Sequence, residues 1–156
     1  MSARLELSFE PMWPNVRKIR QQVGATLEAC GQELRSAAVM TASELVENAI
    51  KYGESVPAAP AVTFALEATG GRLFIRVING STNTLGVAEL ERRVKDLASA
   101  PNKEALYLAR LGQLLEHAED SGKLGLYRIG FEGGFELALD YTNDVVTMTA
   151  TRNTDA

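Results

Sequence analysis

The segment Thr41-Ala42-Ser43-Glu44-Leu45-Val46-Glu47-Asn48-Ala49-Ile50-Lys51-Tyr52-Gly53 decides how the rest of the chain is read. Its apolar residues Leu45, Ala49 and Ile50 continue a face begun by Leu34 and Ala38. The spacing therefore predicts a helix from about Glu33 to Tyr52, with Gly53 expected as a left-handed cap. On the other side Glu44, Asn48 and Lys51 stand four and three residues apart and form one polar stripe. Upstream, Val16, Ile19, Val23, Leu27 and Cys30 recur at threes and fours, predicting a preceding helix that Gly31 ends. Before it, Leu5, Leu7 and Phe9 alternate with Glu6, Ser8 and Glu10, the pattern of a half-buried strand, which Pro11 and Pro14 interrupt.

Downstream, Glu54 to Pro60 reads as a loop, followed by a hairpin. Val62, Phe64 and Leu66 alternate on one strand, Leu73, Ile75 and Val77 on the next, and Gly70-Gly71 joins them. Gly80 to Thr84 forms another loop. Two amphipathic helices are then suggested by Val87, Leu90, Val94 and Leu97 and by Leu108, Leu111 and Leu115, with Pro101-Asn102 between them. Ser121-Gly122-Lys123-Leu124-Gly125-Leu126 breaks the helical pattern before a short apolar helix through Ile129. A closing hairpin pairs Phe135, Leu137, Leu139 and Tyr141 with Val146, Met148 and Ala150 around Asn143-Asp144. Hairpin-forming strands with helices held in separate blocks predict an α+β fold. We expect a two-layer sandwich with helices packed on a mixed, mainly antiparallel sheet, as a single domain spanning 1–156.

At 156 residues the chain fits one domain, and 46% hydrophobic with 23% charged residues is enough to build a core without disorder. Lys plus Arg is 16 against 20 for Asp plus Glu, a net charge of -4, so no global positive field collects a polyanion and nucleic-acid binding is not expected. Cys30 is the single cysteine and His117 the single histidine, which excludes an internal disulfide and any Cys/His zinc pattern. No run of about 18 apolar residues occurs, and the start lacks a basic segment followed by an apolar one; no membrane association and a reducing cytoplasm are the expectation.

The polar stripe carries the chemistry. An Asn oxygen is a hard ligand suited to Mg²⁺, which keeps waters and phosphate oxygens in its shell, and a carboxylate one turn away suits orientation or deprotonation of a nucleophile. The same spacing also fits a solvated helix face with one i,i+3 pair. Trp13 and Cys30 read as packing residues, Arg92-Arg93 as surface charge, and His117 as a helix-end polar residue.

Glu44-x-x-x-Asn48-Ala49 followed by Lys51-Tyr52-Gly53 resembles the N box of the GHKL (Bergerat-type) ATPases, which include histidine-kinase catalytic domains, gyrase and the anti-sigma serine kinases. The order of elements, from Pro11 to Arg20 before a long helix to the closing Leu-Gly-Leu segment, short helix and two strands, is similar to the stand-alone anti-sigma kinases of the RsbW and SpoIIAB kind. The resemblance implies a histidine-kinase-like ATPase fold with ATP and Mg²⁺ as cofactors. Asn48 would ligate the metal, Glu44 would act as general base, and Lys51 and Tyr52 would border the nucleotide.

The family's second motif implies an acceptor for the adenine amino group at Asn79, where Asp is the usual residue, and Ser81 stands where Gly is usual. Losing the charge assistance at Asn79 costs about 1 kcal/mol, near tenfold in affinity. The third motif implies phosphate contacts at Gly122, Lys123, Leu124 and Gly125. Aligned on Leu124-Gly125-Leu126, Ser121 and Lys123 replace its first two glycines. Lys123 offers phosphate a point charge, but its Cβ restricts the positive-φ geometry that glycine tolerates. Asn79 to Ser121 corresponds to the ATP lid. The resemblance further implies an anti-sigma-factor antagonist-like protein and a sigma factor as partners, and a homodimer. Two functions stay open: a serine/threonine protein kinase, or a non-catalytic interaction module that sequesters its partner.

Overall fold

The computed structural model describes residues 2–116 and 125–154. Its elements are β1 (Ala3–Phe9), α1 (Pro14–Thr26), α2 (Gln32–Tyr52), β2 (Val62–Thr69), β3 (Arg72–Gly80), α3 (Thr84–Ser99), α4 (Lys103–Glu116), α5 (Gly125–Phe131), β4 (Glu136–Thr142) and β5 (Val145–Asn153). The strands form one sheet in the order β1-β2-β3-β5-β4. Every pairing among the described residues is antiparallel, where a mixed sheet was expected. With its helices packed on this sheet, the chain is a two-layer α+β sandwich.

Period two fixes which side of the sheet is covered. Val62, Phe64, Leu66 and Ala68 of β2 and Leu73, Ile75 and Val77 of β3 are all buried, whereas Thr63, Glu67 and Arg76 on the opposite face are exposed. Met148 and Ala150 continue the buried side on β5. Both hairpins close with two-residue turns whose residues lie in the left-handed region. Gly70 and Gly71 have φ 59° and 79°, and Asn143 and Asp144 have φ 53° and 62°. Asn and Asp are the non-glycine residues that tolerate this conformation best.

Onto the covered face α2 lays Leu34, Ala38, Leu45, Ala49 and Ile50, all buried as their spacing predicts. α1 stops at Thr26, before the expected end at Gly31; Leu27 leaves helical geometry at φ -101°, ψ 20°, yet its side chain stays in the core. Gly31 instead sits at the N-terminal cap of α2. α3 is built into the core through Val87, Leu90, Val94 and Leu97. Arg93, expected on the surface, is only 4% exposed and pairs with Glu89 at 2.5 Å, while Arg92 does face solvent.

α4 departs from its pattern. Leu108 and Leu111 are exposed, and Leu106 and Tyr107 pack on the core instead, because the Tyr107 ring meets Phe131 at 5.3 Å and sets the rotation of the helix. The Leu115 side chain lies outside the described residues. Trp13, expected as a packing residue, is 57% exposed beside exposed Met12, since Pro11 and Pro14 hold this turn outside the core; Cys30 does pack against the core. Among the described residues no helix is long and apolar enough to cross a membrane.

Candidate functional site

α2 carries the polar stripe along the edge of its buried face. Glu44 and Asn48 are half-buried and Lys51 is exposed. With a rise of about 1.5 Å per residue, Glu44 and Gly53 stand roughly 13 Å apart along the helix, with Asn48 and Lys51 between them. Each end of this stripe meets a different element.

At the Glu44 end lies the first residue of α5. A Cβ on Gly125 would come within 2.0 Å of Glu44 Oε2, so the carboxylate rests directly on glycine backbone. Gly125 belongs to the first turn of α5, inside what the sequence suggests is a loop. Three residues on, Arg128 places Nη1 3.6 Å from Glu44 Oε1 and donates through Nε to Glu132 Oε2 at 3.0 Å. Burial pushes the Glu44 carboxyl above the ordinary carboxylate range. The nearby Glu47 adds to this, and Arg128 and Arg20 oppose it.

At the other end Gly53 has an extended backbone, φ -90° and ψ 157°, and is not the left-handed cap expected. Its glycine is required by proximity instead. A Cβ there would lie 2.0 Å from the Ala49 carbonyl oxygen and 2.9 Å from Asn79 Nδ2. Gly53→Ala is therefore expected to destabilise the fold by about 1–3 kcal/mol. Gly112→Ala, in an exposed stretch of α4 with nothing within 4 Å of its Cβ position, should gain up to about 1 kcal/mol. Urea unfolding midpoints of the two variants check both signs.

Asn79 lies 6% exposed near the end of β3, and its amide nitrogen donates to the Gly80 carbonyl at 3.0 Å. That leaves the amide oxygen as the acceptor on this side chain. Two residues on, Ser81 is fully buried and ties four segments together. Its hydroxyl donates to the Tyr52 carbonyl at 2.7 Å and accepts from the Asn83 backbone N–H at 3.1 Å. Its own N–H donates to the Asp144 carbonyl at 2.8 Å, and its carbonyl accepts from the Tyr141 hydroxyl at 2.7 Å. Glu54 clasps the same loop, accepting from the Thr82 N–H at 2.6 Å and from the Thr82 hydroxyl, which holds its carboxyl below the usual range. Gly86 lets the first turn of α3 approach Tyr52, whose Cδ1 would be 3.0 Å from a Cβ there. Lys51 Nζ lies 5.3 Å from the centre of the Tyr52 ring.

The fold thus brings Glu44 and Gly125 together at one end, and Tyr52, Gly53 and Asn79 at the other, with Asn48 and Lys51 on the helix between. Ser121, Gly122, Lys123, Leu124 and His117 lie outside the described residues. Arg128 was missed in the sequence, although one signal marks it: it is the sole charged residue of Gly125–Phe131. Among the described residues no cluster of three or more His, Cys, Asp or Glu side chains is placed to hold a metal ion. Asn48, half-buried midway along the stripe, is the one oxygen donor that the resemblance assigns to magnesium, and an ion held there would keep waters or take phosphate oxygens as its remaining ligands.

No family profile matches the chain, and no curated protein does. Its fold is similar to that in the crystal structure of the RsbU and RsbW domains of Rv1364c from Mycobacterium tuberculosis. The TM-score is 0.56 at 15% sequence identity, over 96% of this chain and 32% of that one. The chain therefore spans about a third of the length of this neighbour, and at that identity the likeness speaks for the fold.

Proposed function

We propose that this chain is an ATP-binding regulator of the anti-sigma serine/threonine kinase type, which binds a protein partner and phosphorylates it on serine. The observation that carries this reading is the stripe of half-buried Glu44 and Asn48 with exposed Lys51, bounded by bare glycine backbone at Gly125 and by the Asn79 amide beside Gly53. The likeness to a structure containing an RsbW domain supports it, because that protein pairs such a domain with RsbU. An antagonist-like protein and a sigma factor are the partner classes we assign, and cytoplasmic placement follows from that role.

In this reading Asn79 and Tyr52 receive the base of the nucleotide, Lys51 borders it, and Asn48 gives one oxygen to magnesium. Gly122, Lys123, Leu124 and Gly125 are the residues we assign to the phosphates. Bound Mg-ATP supplies the transferable phosphoryl group. Glu44 takes the proton from the attacking serine hydroxyl, and its raised carboxyl makes it a better proton acceptor than an exposed glutamate. Titration of the purified protein with Mg-ATP by calorimetry tests the reading, and absence of heat at any concentration up to millimolar rejects it. Asn79→Asp is expected to tighten binding roughly tenfold by restoring a charged acceptor.

A second reading has its own observation. Ser81 occupies the place of a glycine, and its buried hydroxyl is already spent on the Tyr52 carbonyl. That knot fits a module in which the nucleotide end has been closed and the fold serves to sequester a partner. Ser81→Gly separates the readings: it opens Mg-ATP binding in the closed module and leaves it little changed in a working kinase.

A further inference from the structure

Glu44 does not stand alone at its end of the stripe. Arg128 on α5 lies between two carboxylates, Glu44 of α2 at 3.6 Å and Glu132 of its own helix at 3.0 Å. Glu132 in turn accepts from the Tyr107 hydroxyl of α4 at 3.3 Å. One guanidinium thus links the proposed base to α4 through a continuous polar chain, and Glu44 competes with Glu132 for its charge. The geometry of the guanidinium favours Glu132, whose contact is a hydrogen bond of ordinary length, over the looser pairing with Glu44.

We propose that Arg128 is the positioning residue for Glu44, and that Glu132 sets how much of the Arg128 charge Glu44 receives. This rests on the reading of Glu44 as the proton acceptor. The charged groups facing the Glu44 carboxylate are Glu47 from α2, Arg20 from α1 and Arg128 from α5, so Arg128 is one of two cations opposing burial and one acidic neighbour. Withdrawing it favours the neutral acid, and strengthening its pairing favours the carboxylate. Glu132, on the surface side of the guanidinium, draws Arg128 away from Glu44. A change on α4 that moves Tyr107 would reach Glu44 by this route, which gives the exposed face bearing Leu108 a way to influence the site.

The test needs no nucleotide. In the full chain labelled with ¹³C at glutamate carboxyls, NMR titration follows Glu44, assigned by its disappearance in Glu44→Gln. Arg128→Gln is expected to move the Glu44 midpoint to higher pH, Arg128→Lys to keep it near the parent's, and Glu132→Gln to move it to lower pH. In the double variant Arg128→Gln/Glu132→Gln the effect of the second substitution should vanish, because it acts through Arg128. Shifts of the same sign for Arg128→Gln and Glu132→Gln, or a Glu132→Gln shift that persists without Arg128, overturns the proposal. Glu132 is a surface residue, so that arm survives even if Arg128→Gln unfolds the chain. Calorimetry with Mg-ATP on the same samples separates this outcome from the fate of the kinase reading: a silent titration rejects the kinase, while the NMR signs still decide the role of Arg128.

Discussion

Glu44→Gln is expected to slow ADP production from saturating Mg-ATP by about 10²- to 10⁴-fold while leaving the affinity for Mg-ATP as it is in the parent. Glutamine keeps the shape that rests on Gly125 and keeps a hydrogen-bonding oxygen, but it cannot take a proton. Asn48→Ala should do the reverse, removing the magnesium-dependent part of nucleotide binding because the protein's one proposed ligand oxygen is gone. The pH dependence of the parent follows from the same carboxyl. Its working form is the anion and burial raises its proton affinity, so the rate should fall on the acid side at a pH above the ordinary glutamate range. Rate measurements and calorimetry on the two variants decide the matter: equal loss of binding in both rejects these roles for Glu44 and Asn48.

The largest effect on stability is expected at Phe64. It is 1% exposed, the third residue of β2, and stands between Leu7 of β1 and Val77 of β3 in the sheet register. Phe64→Ala removes a ring from the interface that both α1 and α2 cover. It should cost about 3–5 kcal/mol, lowering the melting temperature by roughly 10 °C. The neighbouring Thr63→Ala, on the exposed side of the same strand, should stay within about 0.5 kcal/mol. Thermal melts followed by circular dichroism compare the two.

The architecture was legible because alternation and helical spacing are local signals that burial enforces directly. Phe64 and Ile75 have no stable alternative to facing inward, and the order of ten elements follows from such residues. What was not legible depends on contacts between distant segments. Arg93 looks like any surface arginine until α3 is seen sunk into the core, and Leu108 looks buried until the Tyr107 ring against Phe131 sets the rotation of α4. Gly53 was marked as a special residue for the wrong reason: the sequence suggests φ, but the constraint is the close approach of the Ala49 carbonyl from its own helix, with Asn79 of β3 next nearest. At the site, the spacing of Glu44, Asn48 and Lys51 located the stripe. No local pattern disclosed that Ser81 binds the end of α2 to the β4–β5 turn, or that Arg128 meets Glu44.

The register of β3 against β5 has a consequence for how the chain comes to be folded. It pairs Arg72 with Asn153 and Gly80 with Val145, so the central ladder of the sheet closes over everything from residue 81 to residue 144. The first three strands and α1–α2 are all made by residue 80, with the β2–β3 hairpin closing over two residues and β1–β2 over residues 10–61. The ladder that supports Asn79 waits for residues 145–153 and is a second non-local closure, over residues 81–144. Both ends of the stripe are completed from that late half, one by Gly125 and Arg128, the other by the Ser81 contacts to Tyr141 and Asp144. A nascent chain therefore owns the helix of the candidate site well before it owns the site, whose two ends are completed only once residues 125–153 have been made.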